Sequence, residues 1–230
     1  MKKTIIFFLA ATTFFCNSLN AQETRKKQQT TFALIGGANI NRFVGTNSKG
    51  QKLNHDFVEG GQFGVNLEIP IFPGFYIQPG IQAVSKGTKN TSSDFRTTTV
   101  NALYVEVPVY IVAKPRVGEG SLIIGVGVDI SNGITGTWKT TDELFYQNNR
   151  NGKVKFQNDA DASDGNNLYM RSRDISMGFV LGYQFGSHFF LQMKSQRGLT
   201  NIIADYHSDN SVYSVKTKYA GHSFSIGCRF

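Results

Sequence analysis

The chain has 230 residues, a formal net charge of +8, 40% hydrophobic and 17% charged residues, with Gly 24, Phe 19 and Tyr 9. That length suits one domain or a barrel-sized all-β unit, and a glycine-rich, aromatic-rich, charge-poor composition argues against a helical protein. Cys16 and Cys228 are the two cysteines; with Cys16 in a leader, neither an intrachain disulfide nor a cysteine metal cluster is expected.

The first 21 residues, "MKKTIIFFLAATTFFCNSLNA", carry Lys2 and Lys3 and then an apolar run from Ile5 to Phe15. This is the pattern of a secretory signal peptide cleaved after Ala21, and the run is too short for a membrane helix. "TFFC" lacks the residues that a lipoprotein signal places before its cysteine. Without Lys2 and Lys3 the basic residues fall from 24 to 22, and against 16 acids the mature chain stands at about +6 (22 − 16). Residues 22–30 read as a short polar periplasmic tail, and residues 31–230 as the barrel domain. The basic residues are scattered, which argues against nucleic acid and for an acidic lipid surface as neighbour.

From Thr31 onward the sequence alternates apolar and polar residues in eight segments. They run Thr31–Arg42, Gly60–Ile69, Gly74–Lys86, Ala102–Ala113, Ser121–Gly133, Asp174–Phe185, His188–Arg197 and the terminal Tyr219–Phe230. In the fourth, Leu103, Val105, Val107, Val109 and Ile111 oppose Tyr104, Glu106, Pro108 and Tyr110. Such period-2 patterning predicts strands with one oily and one small, polar face. The connections alternate between long and short: "PIFPG", "KPRVGEG" and "GSH" are short, and the others are long and polar. A barrel threaded through a bilayer sorts its loops in this way, short turns on the periplasmic side and long loops outside. Lipid offers the backbone no hydrogen bonds, so strands can span it only as a closed ring. The fold expected is therefore all-β, an eight-stranded antiparallel up-and-down transmembrane β-barrel in the outer membrane. Phe230 then closes the last strand against the first, with its ring in the aromatic band at the membrane edge. Pro79 and Pro108 oppose this reading, because each removes a ladder bond from a strand without a free edge; a bulge or a rim position would accommodate them.

Three segments carry a family resemblance: "FYIQPGIQAVSKGTK" after a short turn, "YVEVPVY" from Tyr104 to Tyr110, and "RGLTNI" from Arg197 to Ile202. With them the chain, from about Phe32 to Phe230, resembles the PorT-like (porin-family) outer-membrane β-barrel proteins of Bacteroidetes. The resemblance implies eight strands and an outer-membrane location. Its namesake is implicated in protein secretion, but the resemblance supplies neither a catalytic residue nor a ligand.

Parity turns the aliphatic faces to lipid and the small polar faces to the axis. The inward ionisable residues are then Glu68, Glu106, Asp129, Lys194 and Arg229. In a lumen as narrow as eight strands give, they are expected to form a paired polar network and not an ion path. "DADASDGNN" opens like a calcium loop but has Asp164 at the sixth position and Met170 at the twelfth, so it reads as an acidic loop. His207, Ser208 and Asp209 are adjacent, and a triad needs convergence from separate segments. No enzyme, metal or cofactor is expected. The stretch from Ile134 to Arg173 is read as a long outward loop, with Trp138, Phe145, Tyr146 and Phe156 as candidate partner-binding residues. The partners expected are outer-membrane lipid, the barrel-assembly machinery through the C-terminal strand, and an extracellular or envelope protein. The role expected is structural, surface-interaction or assembly. The alternatives are a soluble lipocalin-like barrel with an apolar ligand, whose sidedness would be inverted, and a narrow porin.

Overall fold

A computed structural model describes residues 29–46, 52–53, 55–91, 97–141, 150–161, 167–208, 211–213 and 216–230, with backbone alone at 159–161, 206–208 and 211–213. The expected leader, Phe145 and Tyr146, the core of the acidic loop and Asp209 lie outside these residues.

Eight long strands form a closed antiparallel ring: β1 (Thr31–Thr46), β2 (Val58–Phe72), β3 (Phe75–Thr91), β4 (Thr97–Ala113), β5 (Gly120–Thr140), β6 (Arg173–Phe185), β7 (Phe189–Gly198) and β8 (Lys216–Arg229). Each pairs with its neighbours in sequence, and β8 closes on β1 from Ala33↔Arg229 to Thr46↔Lys216. Closure leaves no edge strand, which is the condition for a sheet to survive in lipid. Phe230 completes the seam: its N–H donates to the Phe32 carbonyl at 2.8 Å, and the two rings stack with centroids 5.2 Å apart.

The short connections need backbone that only glycine adopts without strain. Gly74, Gly118 and Gly186, one in each short turn, have φ of 78°, 63° and 56°. Strand limits at this end agree closely with the alternation in the sequence. At the long-loop end the strands run further, most of all β5, which continues from Gly133 to Thr140. Beyond that rim, Asn151–Phe156 pairs with β5, and Asp159–Asp161, Asp205–Ser208 and Ser211–Tyr213 form a separate small sheet.

The expected long loop from Ile134 is thus corrected: its first part is strand. The β4–β5 register shifts between Leu103↔Thr135 and Tyr104↔Gly133, leaving Ile134 as an extra residue. A bulge of one residue exchanges the two faces of everything beyond it. Below it Asp129 and Ser131 point inward; above it Trp138 and Thr140 do. Trp138 is 1% exposed, not displayed on a loop.

The prolines are accommodated otherwise than expected. Pro79 pairs with Val109 and, in the same register, Gln82 with Glu106. The two missing donors face different neighbours: the β2–β3 pairing lapses between Asn66↔Gly80 and Ile69↔Ile77, across Pro79, and the β3–β4 pairing lapses between Pro79↔Val109 and Gln82↔Glu106, across Pro108. Pro108 keeps its partner Asp129 in β5.

Sidedness follows the alternation. Phe63, Ile81, Ile111, Val126, Met177, Phe179, Phe224 and Ile226 stand exposed on the outer wall, while Glu106, Asp129, Ser131, Asp174 and Ser176 are 0% exposed within. An apolar exterior with a polar interior is the inverse of a soluble ligand-binding barrel, and it sets the lipocalin-like alternative aside.

Candidate functional site

The lumen is filled in layers. At the short-turn end, Glu68 from β2 accepts hydrogen bonds from Lys114, from Gln78 at 2.8 Å and from Arg229 at 3.2 Å. Lys114 also donates to Gln184 at 2.9 Å and lies over the Tyr76 ring. Above this an apolar layer joins Ala33, Ile35, Tyr110, Val112, Ile123, Val180 and Phe190.

The next layer is ionic and sealed. Glu106 on β4 is held from both sides, by Lys194 at 2.7 Å and Lys86 at 2.7 Å. Lys194 reaches on to Asp129 at 3.1 Å, and Asp129 accepts the Tyr110 hydroxyl at 2.8 Å. Lys86 donates to Ser131 at 2.8 Å, which donates to Glu106 at 3.0 Å. Asp174 lies 3.7 Å from Lys86 and accepts from Thr200 at 3.0 Å. Three carboxylates therefore surround two ammonium groups, with Lys86, Glu106 and Asp129 wholly out of solvent. A buried charge persists only where it is paired and hydrogen-bonded, and each of these is.

Close packing backs this layer. A Cβ placed on Gly178 would run into the Tyr110 hydroxyl, and one on Gly227 into the Phe190 ring. The free space beside the cluster, lined by Gln62, Gln82, Tyr110, Gln192 and Lys194, is about 20 Å³, room for about one water.

At the long-loop end the lumen is closed by an apolar cap of Phe43, Val100, Tyr104, Trp138, Val154, Met170, Ile202 and Tyr219. Tyr104 and Tyr219 meet edge to face, and Phe43 packs on Tyr219 in the same way. Met170 and Ile202 come from the segments that connect the strands, so the outer segments fold into the mouth and plug it.

The five network residues read from sequence thus divide between two sites. Glu106, Asp129 and Lys194 meet in the central layer, while Glu68 and Arg229 meet at the short-turn end. Sequence reading missed Lys86, Lys114 and Asp174. The signal was present: Lys86 continues the inward face of Gln78 and Gln82, Lys114 that of Tyr110, and Asp174 that of Ser176. Of the partner-binding candidates, Trp138 is corrected to the plug, and Phe156 packs half-buried on Tyr104, edge to face at 5.4 Å. Both line the mouth from within.

At the mouth, His55 stacks on Phe43 of the plug at 5.9 Å, with Nδ1 3.1 Å from the buried Thr88 hydroxyl. Burial pushes its pKa below the ordinary 6.5, against a smaller opposing pull from Asp56. Among the described residues, no group of three or more His, Cys, Asp or Glu side chains is placed to hold a metal ion.

A family model described as "outer membrane protein beta-barrel domain" matches residues 20–204. No curated protein matches the chain. Among solved structures, the chain is similar to Ail, the attachment invasion locus protein of Yersinia pestis, in complex with the heparin analogue sucrose octasulfate. The identity is 14%, the TM-score 0.41, and the match covers 88% of this chain and 100% of that one. It is also similar to Neisserial surface protein A (8% identity, TM-score 0.44, 88% and 100% covered). The outer membrane protein OprG from Pseudomonas aeruginosa is a third (12%, 0.43, 88% and 97%).

Proposed function

The chain belongs to the outer-membrane protein β-barrel domain family, and from that premise we propose that it is a non-enzymatic, closed barrel that presents a surface for interaction or assembly outside the membrane and does not conduct solutes. It is an eight-stranded barrel of the outer membrane. The observation that carries the proposal is the filled lumen: an ionic layer with almost no free volume, and above it an aromatic plug from Phe43 to Tyr219. A solute would have to break buried ion pairs or displace Trp138 to pass. The strands run beyond the aliphatic belt at the plugged end and carry paired segments there, a rigid platform of the kind on which exposed binding groups are held. Residues 1–21 act as the export signal in this reading. The Tyr104–Tyr110 and Arg197–Ile202 segments support a PorT-like member. The terminal strand, closing at Phe230, is the segment that the assembly machinery would engage.

Planar-bilayer recordings on purified protein test the closed lumen. The expected result is no discrete conductance from wild type; stable unitary steps would make it a narrow porin. For the interaction role, photocross-linkers belong at the exposed Lys139 and Lys153 on intact cells, since Trp138 faces inward. Discrete protein adducts are expected there and not from the short turn at Gly118.

A further inference from the structure

The outer wall carries a feature that the plugged barrel does not use. Where β6, β7, β8 and β1 approach the long-loop rim, an open groove of about 360 Å³ is lined by Arg197, Lys216 and Lys218 together with Val44, Met177 and Leu199. Register places these side by side. Met177 pairs with Arg197, Arg197 with Ala220, Val44 with Lys218 and Thr46 with Lys216. Lys216 and Lys218 lie on the outward face of β8, since Thr217 and Tyr219 between and beyond them are buried within. Among the described residues, none of the three cations makes an ion pair, whereas Lys86, Lys114 and Lys194 inside the barrel all do. Three neighbouring cations repel one another, and an external anion relieves that repulsion.

The surroundings say what kind of anion. Met177 and Leu199, 56% and 48% exposed, form the groove's apolar side. Toward the membrane, the outward face of the same strands continues as Met193 opposite Phe224 and Leu191 opposite Ile226. A ligand whose headgroup reached the cations would lay its hydrocarbon along this wall. A soluble polyanion would meet the cations but leave the apolar side and the wall below uncovered.

We propose that this groove is a docking site for a phosphate-bearing anionic lipid of the outer leaflet, with Arg197, Lys216 and Lys218 on the phosphate and Val44, Met177 and Leu199 against its proximal hydrocarbon. The proposal rests on the outer-membrane location of the barrel. Each basic residue near an anionic headgroup raises the local affinity by a factor of about five, so the three together set a large preference.

The test uses the full barrel in phosphatidylcholine nanodiscs that contain a minor fraction of diphosphoryl lipid A, with co-purifying lipid counted by native mass spectrometry. Wild type is expected to retain lipid A at least about tenfold above its bulk fraction. The variant Arg197→Gln/Lys216→Gln/Lys218→Gln is expected to fall to the bulk ratio, while Lys139→Gln/Lys153→Gln, on the wall of β5 and the following strand, keeps the enrichment. Heat-modifiable migration on gels checks that every variant is folded. Absence of enrichment in wild type, or enrichment that survives in the triple variant, overturns the site. Displacement of lipid A by heparin at equal phosphate-to-sulfate ratio also overturns it, because the groove would then read charge alone. Failure of wild type to enter nanodiscs at all is a different outcome: it overturns the barrel's membrane location, and the site falls with it.

Discussion

The two ionic clusters of the lumen each hold a glutamate between two cations and differ in what closes over them. In the central cluster, Glu106 sits between Lys86 and Lys194, with the apolar layers of Tyr110 below and Tyr104 above. At the short-turn end, Glu68 sits between Lys114 and Arg229, and the Arg229 side chain is 24% exposed. Both hold the barrel closed, but water can compensate a lost partner in only one of them. Burial, and not the list of partners, sets what each charge contributes.

The largest expected effect tests that difference directly. Glu106→Gln removes the carboxylate that two buried ammonium groups share, and it should destabilise the barrel by about 3–5 kcal/mol. Urea unfolding in lipid vesicles, followed by the shift in gel migration, measures this; a loss under about 1 kcal/mol would mean that water enters the layer. Next comes packing around the same cluster. Gly178→Val drives a side chain into the Tyr110 hydroxyl that holds Asp129, and should cost about 1–3 kcal/mol by the same assay. The double variant Gly178→Val/Tyr110→Phe is expected to recover part of the loss.

Arg229→Gln sharpens the contrast from the exposed side. Arg229 reaches solvent at its end of the pair and Lys114 remains on Glu68, so roughly 0–1 kcal/mol is expected, falling further at high salt. A loss equal to that of Glu106→Gln would remove the distinction between the clusters. The smallest effect lies outside the membrane. Burial lowers the pKa of His55, so the docked segment prefers the neutral ring. The unfolded segment binds a proton as pH falls through 6.5 while the docked one does not, so docking is favoured fully above that value and weakens below it. Hydrogen exchange at Asp56, whose N–H donates to Lys89 O at 2.7 Å, should show faster opening at lower pH once intrinsic rates are removed. His55→Phe, which keeps the stack on Phe43, should abolish the dependence.

Much of this barrel was legible in the residues. Alternation alone assigns Val107, Val109 and Ile111 to the outside and Glu106 and Asp129 to the inside, and all five lie there. The strand ends at the rim were not legible. Past the aliphatic belt the outer face turns polar and the inward face of β5 carries Gly136, Trp138 and Thr140, so β5 from Ile134 to Thr140 lacks the regular apolar–polar contrast that marks a strand. Trp138 was misplaced for a related reason: the bulge at Ile134 reverses parity, and Gly133 beside it is one of several glycines in β5 and does not single the bulge out.

The sequence by itself determined the number of strands, their order, the hand of each face and the three tight turns, because a period of two and the need for a positive φ are local properties of the chain. Only the tertiary structure decided which charges meet, that Glu68 and Glu106 serve separate clusters, that the mouth is plugged from inside, and that Arg197, Lys216 and Lys218 share one groove. Those facts depend on register between strands distant in sequence and on a single extra residue in one of them, and neither leaves a trace in the local pattern.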